Sequence, residues 1–324
     1  MHTSLRQLLS VVLFALLTLL VAPANAAEEI PYLLTAVSKG DLATVNAMLA
    51  SGASANTKDE DGLTALMYAA RKGNAEVVSA LIGKGADLNA KDNGGWTPLM
   101  FAAKKNHTAV VKVLLEKGAD PSVRDSFGWS AFGLAAVSGF PETVEMLVKH
   151  GVDVNTKSDD GKSVLMHAAK SGDATTVSIL LDNKADILAR DRLGTTALMI
   201  AAREGHVPVI EAIVAHITGN VRTVIDQKDF SKWTALTWAV KKSQLAAAKK
   251  LIAVGANVNN EDDEGTPLLH VAVNTGNAEM VALLLENNAK VKAKDQYGLT
   301  ALVYALKGKK TDIIKLIKDA GGSY

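Results

Sequence analysis

The stretch Trp96-Thr97-Pro98-Leu99-Met100-Phe101-Ala102-Ala103, followed by Val110-Val111-Lys112-Val113-Leu114-Leu115-Glu116-Lys117-Gly118-Ala119-Asp120, contains two short helix signals and a stop. Thr97 is a side chain suited to cap a helix N-terminus, and Pro98 fills the first helical position, where no N–H is needed. Ala102-Ala103 is small enough to let a second helix approach closely. Val110 to Leu115 supplies that helix, and Gly118 stands where a left-handed residue ends it.

The same pattern recurs with a period of 33. One Leu repeats at 33, 66, 99, 165, 198, 236, 269 and 302, with Phe132 in its place once, and every step is 33 except the 38 from Leu198 to Leu236. Seven residues before it stands Asp at 59, 92, 125, 191, 229, 262 and 295, with Ser158 the exception. Four before it stands Gly at 62, 95, 128, 161, 194, 265 and 298, with Lys232 the exception. Asp-x-x-Gly is turn chemistry, the Asp bonding local backbone and the Gly taking a positive φ. A periodic unit of this length means a stack in which each copy buries its apolar face on its neighbours.

Composition excludes other classes. The chain of 324 residues has no Cys, so disulfides, thiolate metal sites and Cys nucleophiles are absent. Its 35 Lys+Arg against 34 Asp+Glu give no overall pull towards nucleic acid, and the 48% hydrophobic content is that of a folded chain. The seven His make no metal-ligand spacing, and there is no phosphate loop or nucleophile elbow. The turn acids Glu60-Asp61, Asp159-Asp160 and Asp263-Glu264 are expected on exposed tips with nearly ordinary pKa values, lacking the burial that acid–base catalysis needs. No catalytic residue, metal or cofactor is expected.

Residues 1–26 read as an export address. Leu8 to Ala22 form an apolar run, short for a bilayer span, followed by Pro23 and the small-x-small pattern Ala24-Asn25-Ala26. Cleavage is expected after Ala26, leaving 27–324 as a single repeat domain, periplasmic or secreted, with no stable membrane insertion.

The repeating unit resembles the ankyrin repeat, and the segment 96–120 is nearly that family's consensus. The resemblance covers about residues 30–324 and implies an all-α repeat solenoid of helix-turn-helix units with β-turn fingers. About nine repeats are expected, 30–58 and 295–324 serving as terminal caps. Two departures stand out. The His after the repeating Leu is replaced by Met67, Met100, Met166 and Met199, read as core filling, with His270 alone retained. A five-residue insertion near 217–226 is expected to lengthen the sixth unit's second helix or its loop, and to disturb the curvature of the stack.

In such stacks the fingers and first helices line a concave face that binds partners. Trp96, Trp129 and Trp233 share one finger slot, and Phe127 lies on the finger of Trp129; exposed aromatics of this kind are enriched at binding hot spots. The two positions before each mid-unit turn hold Lys39, Arg71, Lys72, Lys104, Lys105, Lys170, Arg203, Lys241, Lys242 and Lys307, opposed only by Glu204. Cations there suit the negative ends of the first helices, and together they also make a field that favours an acidic partner. The function expected is a non-enzymatic, monomeric protein-binding module that inhibits or protects an exported enzyme, with no nucleic-acid role. The alternative is a structural or stress-related envelope factor that binds an anionic cell-wall polymer.

Overall fold

The structure, a computed structural model, describes residues 26–323, with side chains from Tyr32 onwards. The expected leader lies outside these residues except for Ala26. No described helix is long and apolar enough to cross a membrane.

Among the described residues, nine helix pairs follow one another. The first helices are α1 (Ala26–Lys39), α3 (Ala65–Lys72), α5 (Pro98–Lys104), α7 (Ala131–Val137), α9 (Val164–Ser171), α11 (Ala197–Glu204), α14 (Ala235–Lys241), α16 (Leu268–Thr275) and α18 (Ala301–Lys307). The second helices are α2 (Leu42–Ala50), α4 (Ala75–Gly83), α6 (Thr108–Glu116), α8 (Pro141–Lys149), α10 (Ala174–Asp182), α12 (Val207–Ala215), α15 (Leu245–Ala253), α17 (Ala278–Glu286) and α19 (Thr311–Asp319). Each first helix packs on the next first helix, and each second helix on the next second helix, so the chain is an all-helical solenoid of two layers. One core runs unbroken from Leu33 to Ile317. Ala69, Ala70, Ala102, Ala103, Ala201 and Ala202 are fully buried within it, where a larger side chain would push the layers apart.

Local chemistry sets each boundary. Thr64, Thr97, Ser163 and Thr196 accept the N–H of Met67, Met100, Met166 and Met199, satisfying one orphan donor per helix. Gly73 and Gly172 end first helices at φ +81° and +85°. They also leave room for the imidazoles of His107 and His206, which a Cβ would meet at 2.6 and 2.9 Å. Those imidazoles face the carbonyls of Arg71 (3.1 Å) and Lys170 (3.2 Å), tying α6 and α12 to the ends of α3 and α9, the first helices one repeat back.

The finger turns are built by their Asp. Asp59 Oδ1 accepts the N–H of Asp61 (3.0 Å) and Leu63 (2.8 Å), and Asp229 Oδ1 does the same for Ser231 (3.0 Å) and Trp233 (2.9 Å). A further tie runs back from the first helix. Tyr68 Oη donates to Asp59 Oδ2 at 2.8 Å, Trp238 Nε1 to Asp229 Oδ2 at 2.9 Å, and Tyr304 Oη to Asp295. Along the finger bases a ladder joins repeats: Lys58, Lys91, Arg124, Lys157 and Arg190 each donate to the carbonyl of the same position one repeat on, at 2.8–3.2 Å.

Of the two forms expected for the insertion, a longer helix or a longer loop, the structure has the loop. The helix α12 has nine residues like its counterparts, so the extra residues lengthen only the loop. They form a separate turn, α13 (Arg222–Ile225), anchored because Val224 and Ile225 are buried. The stack closes over it: α11 packs on α14 and α12 on α15. At Lys232, where the repeat has lost its Gly, the backbone still takes φ +57°. Asn260 holds that turn by donating to the Lys232 carbonyl at 3.0 Å.

Candidate functional site

The fingers and first helices share one face, here termed the inner face, and the candidate residues divide upon it. Phe127 stands free at a fingertip, 72% exposed, as do Leu193, Phe230 and Tyr297 on other fingers. The three Trp residues are half-buried. The Trp96 ring packs on Phe101 at 5.0 Å and Trp233 on Trp238 at 4.8 Å. Trp129 packs on His167 of the next repeat at 4.5 Å, and its ring lies over Gly133, where a Cβ would come within 3.0 Å. Each indole is therefore partly covered by its neighbours and partly open to solvent.

Lys72, Lys104 and Lys105 are exposed, and Lys104 Nζ donates to Ser138 Oγ at 3.0 Å. Arg71 is half-buried, its guanidinium 4.6 Å from the Tyr68 ring centroid and 6.0 Å from that of Phe101. Arg203 lies over Trp238, Lys241 over Trp233 and Lys307 over Tyr304, at 5.5, 5.8 and 5.8 Å. Ring faces thus orient these cations without cancelling their charge, each contact being worth about 0.5–1 kcal/mol. Among the described residues, Arg203 is the one stripe cation of the ten with a carboxylate within 4 Å, that of Glu204 at 3.0 Å. Sequence reasoning singled out the cations but not the rings that seat them. The signal was present in the helical i, i+3 spacing of Tyr68 with Arg71 and of Tyr304 with Lys307.

The fifth finger departs from the others. Ser158 stands at the Asp position and His167 at the ring position, and Ser158 Oγ lies 2.9 Å from His167 Nε2 and 2.5 Å from Asp160. This pair makes the same finger-to-helix tie that Asp makes with Tyr or Trp elsewhere. His167 is only 6% exposed, and burial pushes its pKa down to about 4. Asp160 corrects the expectation of ordinary turn acids. Partial burial pushes its pKa up, but hydrogen bonds from Lys162 and Ser158 outweigh that and hold it well below the usual carboxylate range. Among the described residues, no group of three or more acidic or imidazole side chains gathers as a metal site.

Met67, Met100, Met166 and Met199 are fully buried. Two of them do more than fill space: the N–H of Thr64 donates to Met67 Sδ at 3.3 Å and that of Thr196 to Met199 Sδ at 3.4 Å. His270, at the same helical position, has lost that donor because the residue three before it is Pro267. Its Nε2 faces the Leu299 carbonyl at 3.0 Å, and its Nδ1 is buried with no partner. Pro267→Thr is expected to supply both the missing N–H and a capping hydroxyl. The gain should be about 1–2 kcal/mol, read as a raised urea midpoint at constant m-value.

The family profile described as "Ankyrin repeats (3 copies)" matches residues 33–125, 118–191, 188–262 and 244–323. The chain belongs to the ankyrin repeat family. Ankyrin repeats are protein-interaction modules, and the family is generally non-enzymatic. Curated relatives share single stretches of the array. The Arabidopsis thaliana protein "Serine/threonine-protein kinase 12" is 34% identical over 99 residues, 31% of this chain and 22% of the kinase. "Putative ankyrin repeat protein L371" of Acanthamoeba polyphaga mimivirus is 31% identical over 99 residues, 31% of this chain and 13% of that protein. The "Potassium channel SKOR" of Arabidopsis thaliana is 38% identical over 91 residues, 28% of this chain and 11% of the channel. These matches span less than a quarter of each of these three relatives.

Proposed function

We propose that this ankyrin array acts outside the inner membrane as a binding module for another protein, holding an acidic surface of that partner against its inner face and thereby inhibiting or protecting an exported enzyme. The carrying observation is the line of first-helix cations, four of them seated on rings and, Arg203 apart, with no carboxylate within 4 Å among the described residues. Such a line raises the local concentration of an acidic surface and speeds its docking. The adjoining aromatic fingertip supplies the desolvated contact that gives a complex its lifetime. The apolar run Leu8 to Ala22, with Ala24-Asn25-Ala26 after it, supports the location.

The test is capture from an envelope extract of the native host by the wild type and by the Lys104→Glu, Lys105→Glu double variant. A stoichiometric protein band that the wild type retains and the variant loses, with the wild-type yield falling as salt rises, is the expected result. Equal capture by both removes the acidic-partner reading. Retention on purified wall polymer in place of a protein band would assign the stripe to an anionic polymer. N-terminal sequencing of the protein from that host should begin at Ala27, and a start at Met1 would remove the export claim.

A further inference from the structure

The repeat register marks a narrower site on the same face, between the seventh and eighth fingers. In the second, seventh and ninth repeats the residue two after the recurrent Leu is a ring with a donor, Tyr68, Trp238 or Tyr304, and it reaches back to the turn Asp. The third, fourth, sixth and eighth repeats carry no donor there, having Phe101, Leu134, Ile200 and Val271, and the eighth lies beside an open cleft. Asp262 still builds its turn, with Oδ1 accepting the N–H of Glu264 at 3.1 Å and of Thr266 at 2.8 Å. No side-chain donor reaches its other oxygen. The finger slot filled by Trp96, Trp129 and Trp233 elsewhere holds Thr266, and the stripe position holds Asn274. These small and neutral residues border a cleft of about 420 Å³, open to solvent, walled by Trp233 and Lys241 of the seventh repeat and by Asp262, Asp263, Glu264 and Val271 of the eighth.

We propose that this cleft receives an aromatic side chain bearing a hydrogen-bond donor, Tyr or Trp, from the protein partner. The guest ring covers Val271 and the open part of Trp233, and its O–H or N–H donates to the second carboxylate oxygen of Asp262. It completes from outside the tie that the chain makes for itself in three other repeats. Asp263 and Glu264 line the cleft as well, so charge alone would admit a basic side chain; the apolar bed of Val271 and the Trp233 ring, with Lys241 5.8 Å from that ring's centroid, is what selects an aromatic guest. Ring-on-ring contact and a hydrogen bond to a charged acceptor are the two strongest terms such a pocket offers. The inference deepens the protein-binding reading of the inner face and rests on it.

The test titrates the ¹⁵N-labelled protein with N-acetyltyrosinamide and with N-acetylphenylalaninamide, following the Trp233 indole N–H and the Thr266 amide. Saturable shifts with the tyrosine probe are expected, with the phenylalanine probe at least tenfold weaker for want of the hydroxyl. Asp262→Asn keeps an oxygen for the turn but weakens the acceptor, and should bring the tyrosine probe down to the phenylalanine level. Val271→Tyr fills the cleft from within and should abolish the shifts. Equal affinity for the two probes, no saturable shift, or an unchanged Asp262→Asn would overturn the proposal. The readout needs no partner, so an inert cleft beside a stripe that still captures protein removes this inference alone.

Discussion

Lowering the pH from 7 to 4 is expected to strip about 3 kcal/mol from the stability of the array through His167 alone. In the fold its imidazole is wedged between Trp129 and Ser158, and burial holds its pKa down to about 4, against 6.5 for the free group. The unfolded chain therefore binds the proton first. The contribution is complete above about pH 6.5 and is lost progressively as pH falls towards 4. Burial lowers the pKa of His270 as well, which adds to the loss in the same direction. Urea midpoints measured across this range should fall steeply for the wild type. His167→Phe keeps a ring against Trp129 but cannot titrate, so its curve should be flatter. Parallel curves for the two proteins would show that the acid sensitivity arises elsewhere.

Phe127→Ala and Trp129→Ala, on the same finger, are expected to fail in different ways. Phe127 is largely in water and its ring enters none of the aromatic pairs, so its truncation should leave stability within about 0.5 kcal/mol. If it anchors a partner, affinity should fall at least about thirtyfold, or about 2 kcal/mol. The Trp129 indole roofs Gly133 and buttresses His167, so its truncation opens the stack between the fourth and fifth repeats. About 2 kcal/mol of stability should go with it, half the loss typical of a fully buried Trp. Thermal melts and partner capture on both single variants separate the roles. Binding that survives Phe127→Ala would move the contact off this fingertip.

The half-buried state of the indoles could not be read along the chain. Recurrence at 96, 129 and 233 marks a slot on a finger, but whether a ring there stands free or lies down depends on what the helix after it and, for Trp129, the next repeat offer. Phe101, Gly133 with His167, and Trp238 each offer a different bed. The insertion is a similar case. Its length was plain from the step of 38, whereas its form, a separate turn rather than a longer α12, follows from burial of Val224 and Ile225 against the stack.

The sequence by itself determined the architecture of this protein, because each boundary is a local event. A turn Asp bonds backbone two and four residues ahead, a Thr or Ser caps the helix that follows it, and a Gly ends that helix. Nine copies in register leave one way to bury their apolar faces. It also determined where the cations fall, since they occupy the last turns of the first helices. Only the tertiary structure decided that Arg203 is seated on Trp238, and that Val271 and Asp262 face Trp233 and Lys241 across an open cleft. Those features arise between residues brought together from different repeats. Their spacing is set by how closely the layers pack, which no local rule encodes.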